Sequence, residues 1–323
     1  MYEITKTGTK LVFSDVKDFD LDHVFDCGQC FRWRKEDSAS IPAYYGVVGE
    51  DFARVSFKEK ENEPDGVGKI GDLIIESYQN NENFWIKYLD LDRDYKAIKN
   101  QLVDGDPIMG DAIEQGWGIR IMRQDAWETL ISFIISQNSN IPRIRSSIEV
   151  LCSEYGRKIG EYRDKIICTF PTLDDLASLK EEDYKVCRLG YRAKYIAEAS
   201  RQIKRDGGSV LNVAASMNDK DVLKYLLTLS GIGPKVASCI MLFSMGKLNI
   251  FPVDVWVKRV MNRLYSIEET DIKGMKEYAD KNFGRYGGIA QQYLFYYIRT
   301  LSLTQPKRYE ELNMGENPKD KEL

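Results

Sequence analysis

From Tyr2 to about Lys87 the chain runs in short stretches in which apolar and polar residues frequently alternate: KLVFSDV, CFRWRK, YYGVVGE, FARVSF and DLIIES. Successive side chains on a strand point to opposite faces, so these runs, parted by Gly, Pro and charged residues, predict an antiparallel sheet. The segment KEKENEPDGVGK has the composition of an exposed hairpin loop, with Asp65-Gly66 as its turn. After roughly Asp90 the period changes to 3.6 residues, with helix caps, in LDRDYKAIKNQLV, QDAWETLISFIIS, IPRIRSSIEVLCSEY and VLKYLLTLS. Gly105, Gly110, Pro142, Gly190, Gly231, Gly233 and Pro252 punctuate this region, which predicts many helices on short connections. No fixed-period repeat is visible. The pattern implies an α+β protein: a sheet domain over residues 1–90, a larger helical region in two lobes over 91–305, and a polar tail, 306–323, that frays.

A chain of 323 residues with 43% hydrophobic and 30% charged positions can bury a sizeable core. Its longest apolar stretches fall well short of the roughly 20 residues of a membrane span. The N-terminus, MYEITKTGTKLVF, has neither a signal-peptide core nor a transit-peptide composition. The expected location is therefore intracellular: cytoplasm or nucleoid in a prokaryote, nucleus in a eukaryote. Six scattered cysteines in such a setting predict free thiols, and the C-x-x-C of Cys27 and Cys30 has no second pair at zinc spacing. The net charge of −4 argues mildly against a nucleic-acid partner. Yet Arg143, Arg145, Arg192, Lys194, Arg201, Lys204 and Arg205 gather in the middle third, where they could form a local basic face.

The densest chemistry lies between Tyr225 and Tyr265, YLLTLSGIGPKVASCIMLFSMGKLNIFPVDVWVKRVMNRLY. An apolar helix ends at Ser230, Gly231 and Gly233 permit a tight turn, Pro234 takes the first-turn position, and a second helix starts at Lys235. Its free amides and partial positive charge suit a phosphate, gripped without reading sequence. Neither the dinucleotide fingerprint nor the Walker A loop fits these glycines. Lys235 lies in the first turn, where the helix dipole favours a neutral amine, a nucleophile able to form a Schiff base. It could equally be a solvated lysine touching phosphate. Asp254 is the expected N-cap of the helix VWVKRVMNRLY, its carboxylate held ionised by the capping amides. Fixed there, it can cap the helix and also stabilise a cationic sugar or assist proton transfer.

These residues resemble the helix-hairpin-helix (HhH-GPD) DNA glycosylases, and most closely the eukaryotic-type 8-oxoguanine DNA glycosylase/AP lyases. CGQCFRWR (27–34), RQDAWETLISFIISQNSNIPRI (123–144), LGYRAKYI (189–196) and AQQYLF (290–295) are similar to segments of that family, in the same order as the hairpin. The likeness runs from Phe19 to about Arg299. It implies a TBP-like antiparallel sheet packed on a helical glycosylase domain. It also implies a monomer acting on double-stranded DNA, with no membrane partner.

By the same resemblance the lesion base lies between Cys239 and the ring of Phe295, with Gln291 on its Watson–Crick edge. Its N7–H donates to the Gly28 carbonyl, which unmodified guanine cannot do, because its N7 is only an acceptor. Cys239 stands four residues after Lys235, and Phe295 four after Gln291, so each pair shares a helix face. Read without the family, Phe295 and Cys239 are core residue types and Gly28 suits a plain turn. Asn138 would fill the gap left by the everted base, Tyr191 wedge beside the orphaned base, and Arg192 with Arg143 donate to a cytosine. The two arginines could instead be phosphate contacts or solvated charges.

The chain departs from the animal members in three places: Trp256 replaces a common histidine, Cys30 a serine, and Ser139 interrupts the asparagine run. Trp256 would meet phosphate by stacking or through its indole N–H. The reaction implied is attack of Lys235 on C1′ of 8-oxodeoxyguanosine, preferentially opposite cytosine, then β-elimination from the Schiff base. No cofactor is required, and no C-terminal cysteine cluster exists for an iron–sulfur centre. A monovalent or calcium-like cation held by the carbonyls of Leu227, Leu229 and Ile232 is a further expectation from the family. Two rival readings stand beside this one: a monofunctional glycosylase for alkylated or mismatched bases, and a non-catalytic DNA-binding clamp.

Overall fold

The computed structural model of the chain describes residues 2–37, 39–63, 68–104 and 106–312. The Asp65-Gly66 turn, Gly105 and the chain beyond 312 lie outside the described residues.

Six strands form one antiparallel sheet: β1 (Ile4–Thr7), β2 (Lys10–Val16), β3 (Arg34–Lys35), β4 (Ala43–Val48), β5 (Asp51–Asn62) and β6 (Lys69–Ser77), in the order β1-β2-β6-β5-β4-β3. Alternation sets the register. Phe13 pairs with Leu73 and Leu73 with Phe57, while Leu11 pairs with Ile75 and Ile75 with Val55, so one face is a continuous apolar layer. Two short helices, Leu21–Phe25 and Glu82–Tyr88, join that core; Phe25 stacks on Trp33 at 4.3 Å, and Trp33 Nε1 donates to the Tyr88 hydroxyl at 3.1 Å.

The segment CFRWRK departs from expectation, because only Arg34 and Lys35 are strand. Its burial does not alternate: Phe31 packs into the helical core while Cys30 and Trp33 pack into the sheet core. A loop pressed between two cores buries both sides, and the period-two signal was accidental. The region after Asp90 is also not purely helical. β7 (Lys158–Tyr162) and β8 (Lys165–Cys168) form a hairpin whose turn residues, Arg163 and Asp164, both have positive φ. That turn is built without the glycine or asparagine that ordinarily betrays it. Tyr162 ties the hairpin to the sheet by packing on Tyr45 and Phe52 and donating to Glu36 Oε1 at 2.7 Å.

The helices that frame the site are Ala126–Ser136, Ile141–Tyr155, Arg192–Arg205, Asp219–Leu226, Pro234–Met245, Val255–Tyr265 and Gly287–Thr304. Asp125, Asn140 and Asp254 cap three of them, each accepting from the third backbone N–H onward. The helix before the hairpin stops at Leu226, four residues earlier than Ser230. The polar tail begins with a further helix, Pro306–Glu311, so its first turns are ordered. Tyr309 explains it: the ring is fully buried, and its hydroxyl accepts from Arg259 Nη1 at 3.2 Å. Among the described residues no helix is long and apolar enough to cross a membrane.

One buried cation joins sheet to helices. Arg120 donates to Asp18 O at 2.8 Å, Asp90 O at 2.7 Å and Lys17 O at 2.9 Å, with its guanidinium over the Tyr95 ring at 4.6 Å.

Candidate active site

The hairpin Leu227–Gly233 turns on Gly231, whose φ is +76° and whose missing side chain admits Tyr195; an added Cβ would lie 2.5 Å from Tyr195 Cβ. Gly233 differs from expectation. Its φ of −91° suits any residue, and nothing lies within 4 Å of where a Cβ would stand. What Gly233 supplies is bareness before the helix Pro234–Met245, which has no side-chain cap, so its first amides stay available. The turn closes with Ile232 N donating to Leu229 O at 3.2 Å, which leaves that oxygen a second lone pair. Leu227 in this turn and Val255 at the start of the helix Val255–Tyr265 are exposed apolar residues.

Lys235 and Asp254 are electrostatic neighbours, each shifting the other's pKa. Lys235 is half-buried, its Nζ lies 5.3 Å from the centre of the Phe133 ring, and it hydrogen-bonds the thiol of Cys239 one turn on. Burial pulls the ammonium pKa down, but the charges of Cys239 and Asp254 outweigh it, and the net direction is upward. The resting amine is therefore an ammonium, against the neutral amine expected from the helix dipole. Cys239 is buried and its thiol is pushed up by desolvation, with Lys235 opposing. Asp254 caps its helix as expected, accepting from Val257 N at 2.8 Å. Capping does not by itself keep it ionised, because burial drives the carboxyl upward against Lys235 and the amides of Val257 and Trp256.

A second group of candidate residues lies on the helix Gly287–Thr304. Gln291 is buried and its Oε1 has no hydrogen-bond partner, an anomaly for a buried carbonyl oxygen. Phe295, one turn on, touches the loop at Gly28, where a Cβ would stand 3.2 Å from its Cε1. Gly28 has φ +85°. The structure thus places Gly28 and Phe295 together, and Lys235, Cys239 and Asp254 together.

The gap-filling candidates lie on one side. Asn138 has a left-handed φ of +46°, and Tyr191 is half-exposed with its ring beside Tyr195. Arg192 is placed otherwise than a cytosine contact needs: it is buried and donates to Gln137 O at 2.8 Å, Asn138 O at 2.9 Å and Leu189 O at 3.2 Å. It braces the Asn138 turn, which Gln137 Nε2 also ties to the hairpin through Gly231 O at 2.9 Å. Arg143 is exposed at the start of its helix. The anticipated basic face is largely spent: Arg145 pairs with Asp26 at 2.7 Å, Lys204 with Asp174 at 2.8 Å, and Arg201 donates to Leu179 O. Trp256 is half-buried, with the Arg259 guanidinium 5.9 Å from its ring. Cys27 and Cys30 are buried and donate to Val24 O and Phe25 O, and burial pushes Cys27 up to about 11, so both are inert thiols.

Phe133 and Gln292 were not singled out from sequence. Phe133 was hidden in an apolar run, but two adjacent glutamines, Gln291 and Gln292, in an otherwise apolar helix were a visible signal.

Residues 11–130 match the family described as 8-oxoguanine DNA glycosylase, N-terminal domain, and residues 131–284 the HhH-GPD superfamily of base excision DNA repair proteins. An N-glycosylase/DNA lyase of Saccharomyces cerevisiae is 32% identical over 261 residues, 76% of this chain and 68% of the relative. The N-glycosylase/DNA lyase OGG1 of Arabidopsis thaliana is 31% identical over 84% of this chain and 75% of its own length. Among solved structures, the 8-oxoguanine glycosylase/lyase of Clostridium acetobutylicum, in complex with DNA bearing cytosine opposite 8-oxoguanine, superposes with a TM-score of 0.80 at 38% identity, covering 93% of this chain and 98% of that one. With both its sheet region and its hairpin region matched in order, the chain belongs to the 8-oxoguanine DNA glycosylase family of HhH-GPD base-excision repair proteins.

Proposed function

We propose that the chain excises 8-oxoguanine from duplex DNA and then cuts the strand, with Lys235 as nucleophile. The observation that supports the reading is the proximity of Lys235, Cys239 and Asp254: a primary amine and a carboxyl group close enough to move each other's pKa. No cofactor takes part in the reaction.

Lys235 gives up its proton and attacks C1′. The glycosidic bond breaks, its electron pair leaves with the base, and the departing base takes a proton. The bound sugar opens to a Schiff base; loss of a C2′ proton then expels the 3′ phosphate by β-elimination, and water hydrolyses the imine to free Lys235. Asp254 offsets the positive charge that develops on the sugar. The base sits between Cys239 and Phe295, with the unpartnered Gln291 Oε1 accepting from its Watson–Crick edge and the Gly28 carbonyl accepting N7–H. The bare hairpin amides behind Gly231 and Gly233 hold phosphate, with Trp256 beside them. A monovalent or calcium-like cation on the carbonyls of Leu227, Leu229 and Ile232 would add positive charge there. Asn138 fills the helix, Tyr191 wedges beside it, and Arg143 meets the opposite cytosine, joined by Arg192 once its carbonyl bonds exchange.

Borohydride trapping on an 8-oxoguanine duplex tests the mechanism. A covalent adduct with the wild type and none with Lys235→Gln is expected. Full base release and strand cleavage by Lys235→Gln would reject it.

A further inference from the structure

Around Gly28, side-chain donors occupy three backbone carbonyls. Asp26 O accepts from Arg299 Nη1 at 2.6 Å, Cys27 O from Gln292 Nε2 at 2.7 Å, and Gln29 O from Gln124 Nε2 at 2.8 Å. Among the described residues no donor reaches the carbonyl between them, that of Gly28. The fully buried Gln29 side chain fastens the loop further, donating to Val24 O and Arg120 O and accepting from Met122 N. Burying the Gln29 and Gln292 side chains is costly unless each makes its bonds, and here they converge, with the half-buried Gln124, on one four-residue loop.

The flanking bonds matter because of what glycine permits. The Cys27 and Gln29 carbonyls belong to the peptide units on either side of the Gly28–Gln29 unit. Gly28, at φ +85°, has no Cβ to oppose rotation of the following peptide, so what resists a flip is Gln29, whose φ it would drive positive, together with the bonds to the flanking carbonyls. Such a flip would replace the Gly28 C=O with the Gln29 N–H at the same spot. An N–H there would bond the acceptor N7 of ordinary guanine and repel the N7–H of 8-oxoguanine. Lesion choice thus depends on which way one peptide faces.

We propose that Gln292 is a positioning residue for lesion recognition: its bond to Cys27 O, with that of Gln124 to Gln29 O, locks the Gly28–Gln29 peptide in the carbonyl-presenting orientation. The inference rests on the reading that Gly28 O accepts the lesion N7–H. It gives one helix two tasks, since Gln291 faces the base while Gln292, the next residue, holds the loop that reads the opposite edge.

The test compares three duplexes under single turnover: one with 8-oxoguanine, one with 8-bromoguanine, which has an 8-substituent but an acceptor N7, and one with an abasic site. For Gln292→Met, release of 8-oxoguanine should fall about tenfold, the worth of one misplaced hydrogen bond, and the preference over 8-bromoguanine should shrink equally. Cleavage at the abasic site, which has no base to read, should stay within about twofold. Gln124→Met removes the clamp from the other side and should give the same selective loss, which guards against one variant failing to fold. An unchanged preference in both variants, or a parallel loss of abasic-site cleavage, overturns the proposal. A wild type that handles 8-oxoguanine and 8-bromoguanine alike overturns the Gly28 reading itself, a separable outcome.

Discussion

With Lys235 as the proposed nucleophile, its protonation state sets how the reaction responds to pH. Its ammonium is favoured by Cys239, by Asp254 and by the face of Phe133 at 5.3 Å, so the free amine becomes abundant only toward alkaline pH. Base release should therefore rise from neutral into alkaline solution, and fall in acid as the upward-shifted Asp254 carboxyl is protonated. Phe133→Leu keeps apolar volume but removes the ring face. Because that face favours the charged form, its loss should move the alkaline limb to lower pH by about half a unit to one unit, read from a single-turnover pH profile. Asp254→Asn, which cannot offset charge on the sugar, should slow base release by about a hundredfold or more while DNA binding persists.

At the scale of the hairpin, the two glycines separate folding from binding. Gly231→Ala forces a side chain into left-handed backbone and into Tyr195, and should cost about 1–3 kcal/mol of stability together with DNA affinity. Gly233→Ala meets nothing and keeps an ordinary φ, so its melting temperature should stay near wild type. It places a methyl group before the uncapped amides, and affinity for an 8-oxoguanine duplex should fall severalfold in a titration. An equal melting loss in both variants would contradict this division. Similarly, Arg143→Ala should narrow the preference for cytosine opposite the lesion, since Arg143 is exposed while Arg192 is held by carbonyls.

Across the whole molecule, Arg120 and Glu128 set stability. Arg120→Met would strand the buried carbonyls of Asp18 and Asp90 and free that of Lys17, and should cost about 3 kcal/mol in chemical denaturation. Burial lifts the Glu128 carboxyl to about 7 from 4.5, with Arg32 at 3.7 Å opposing. Between those values the folded form keeps its proton while the unfolded chain loses it, so stability declines as pH rises from about 4.5 to about 7. Glu128→Gln should remove that slope, worth on the order of 2 kcal/mol, in melts across the window.

The main strands and helices were legible because one period governed each: Phe13, Leu73 and Phe57 on a sheet face, the capped helices at Asp125, Asn140 and Asp254. The candidate pair, Lys235 and Asp254, stood out for a related reason, as Gly, Pro and Asp punctuate chain direction. What escaped depended on partners remote in sequence. CFRWRK alternates but lies between two cores, Arg163-Asp164 turns without glycine, the helix at Pro306 needs Tyr309 to be buried, and the proton on Lys235 follows from Cys239 on its own helix together with Asp254 on another.

The Gly28 loop has a consequence for assembly. Its restraints come from Arg145 and Arg299 on Asp26, Gln292 on Cys27 and Gln124 on Gln29, contributed by helices that start more than ninety residues downstream or by the segment leading into one. The proposed phosphate grip, in contrast, lies in one short run of chain around Gly231 and Lys235, held from outside by Tyr195 and Gln137. A nascent or partly loosened chain would thus clasp DNA before it acquired any judgement about the base, and fidelity would be the last property gained in folding and the first surrendered on heating.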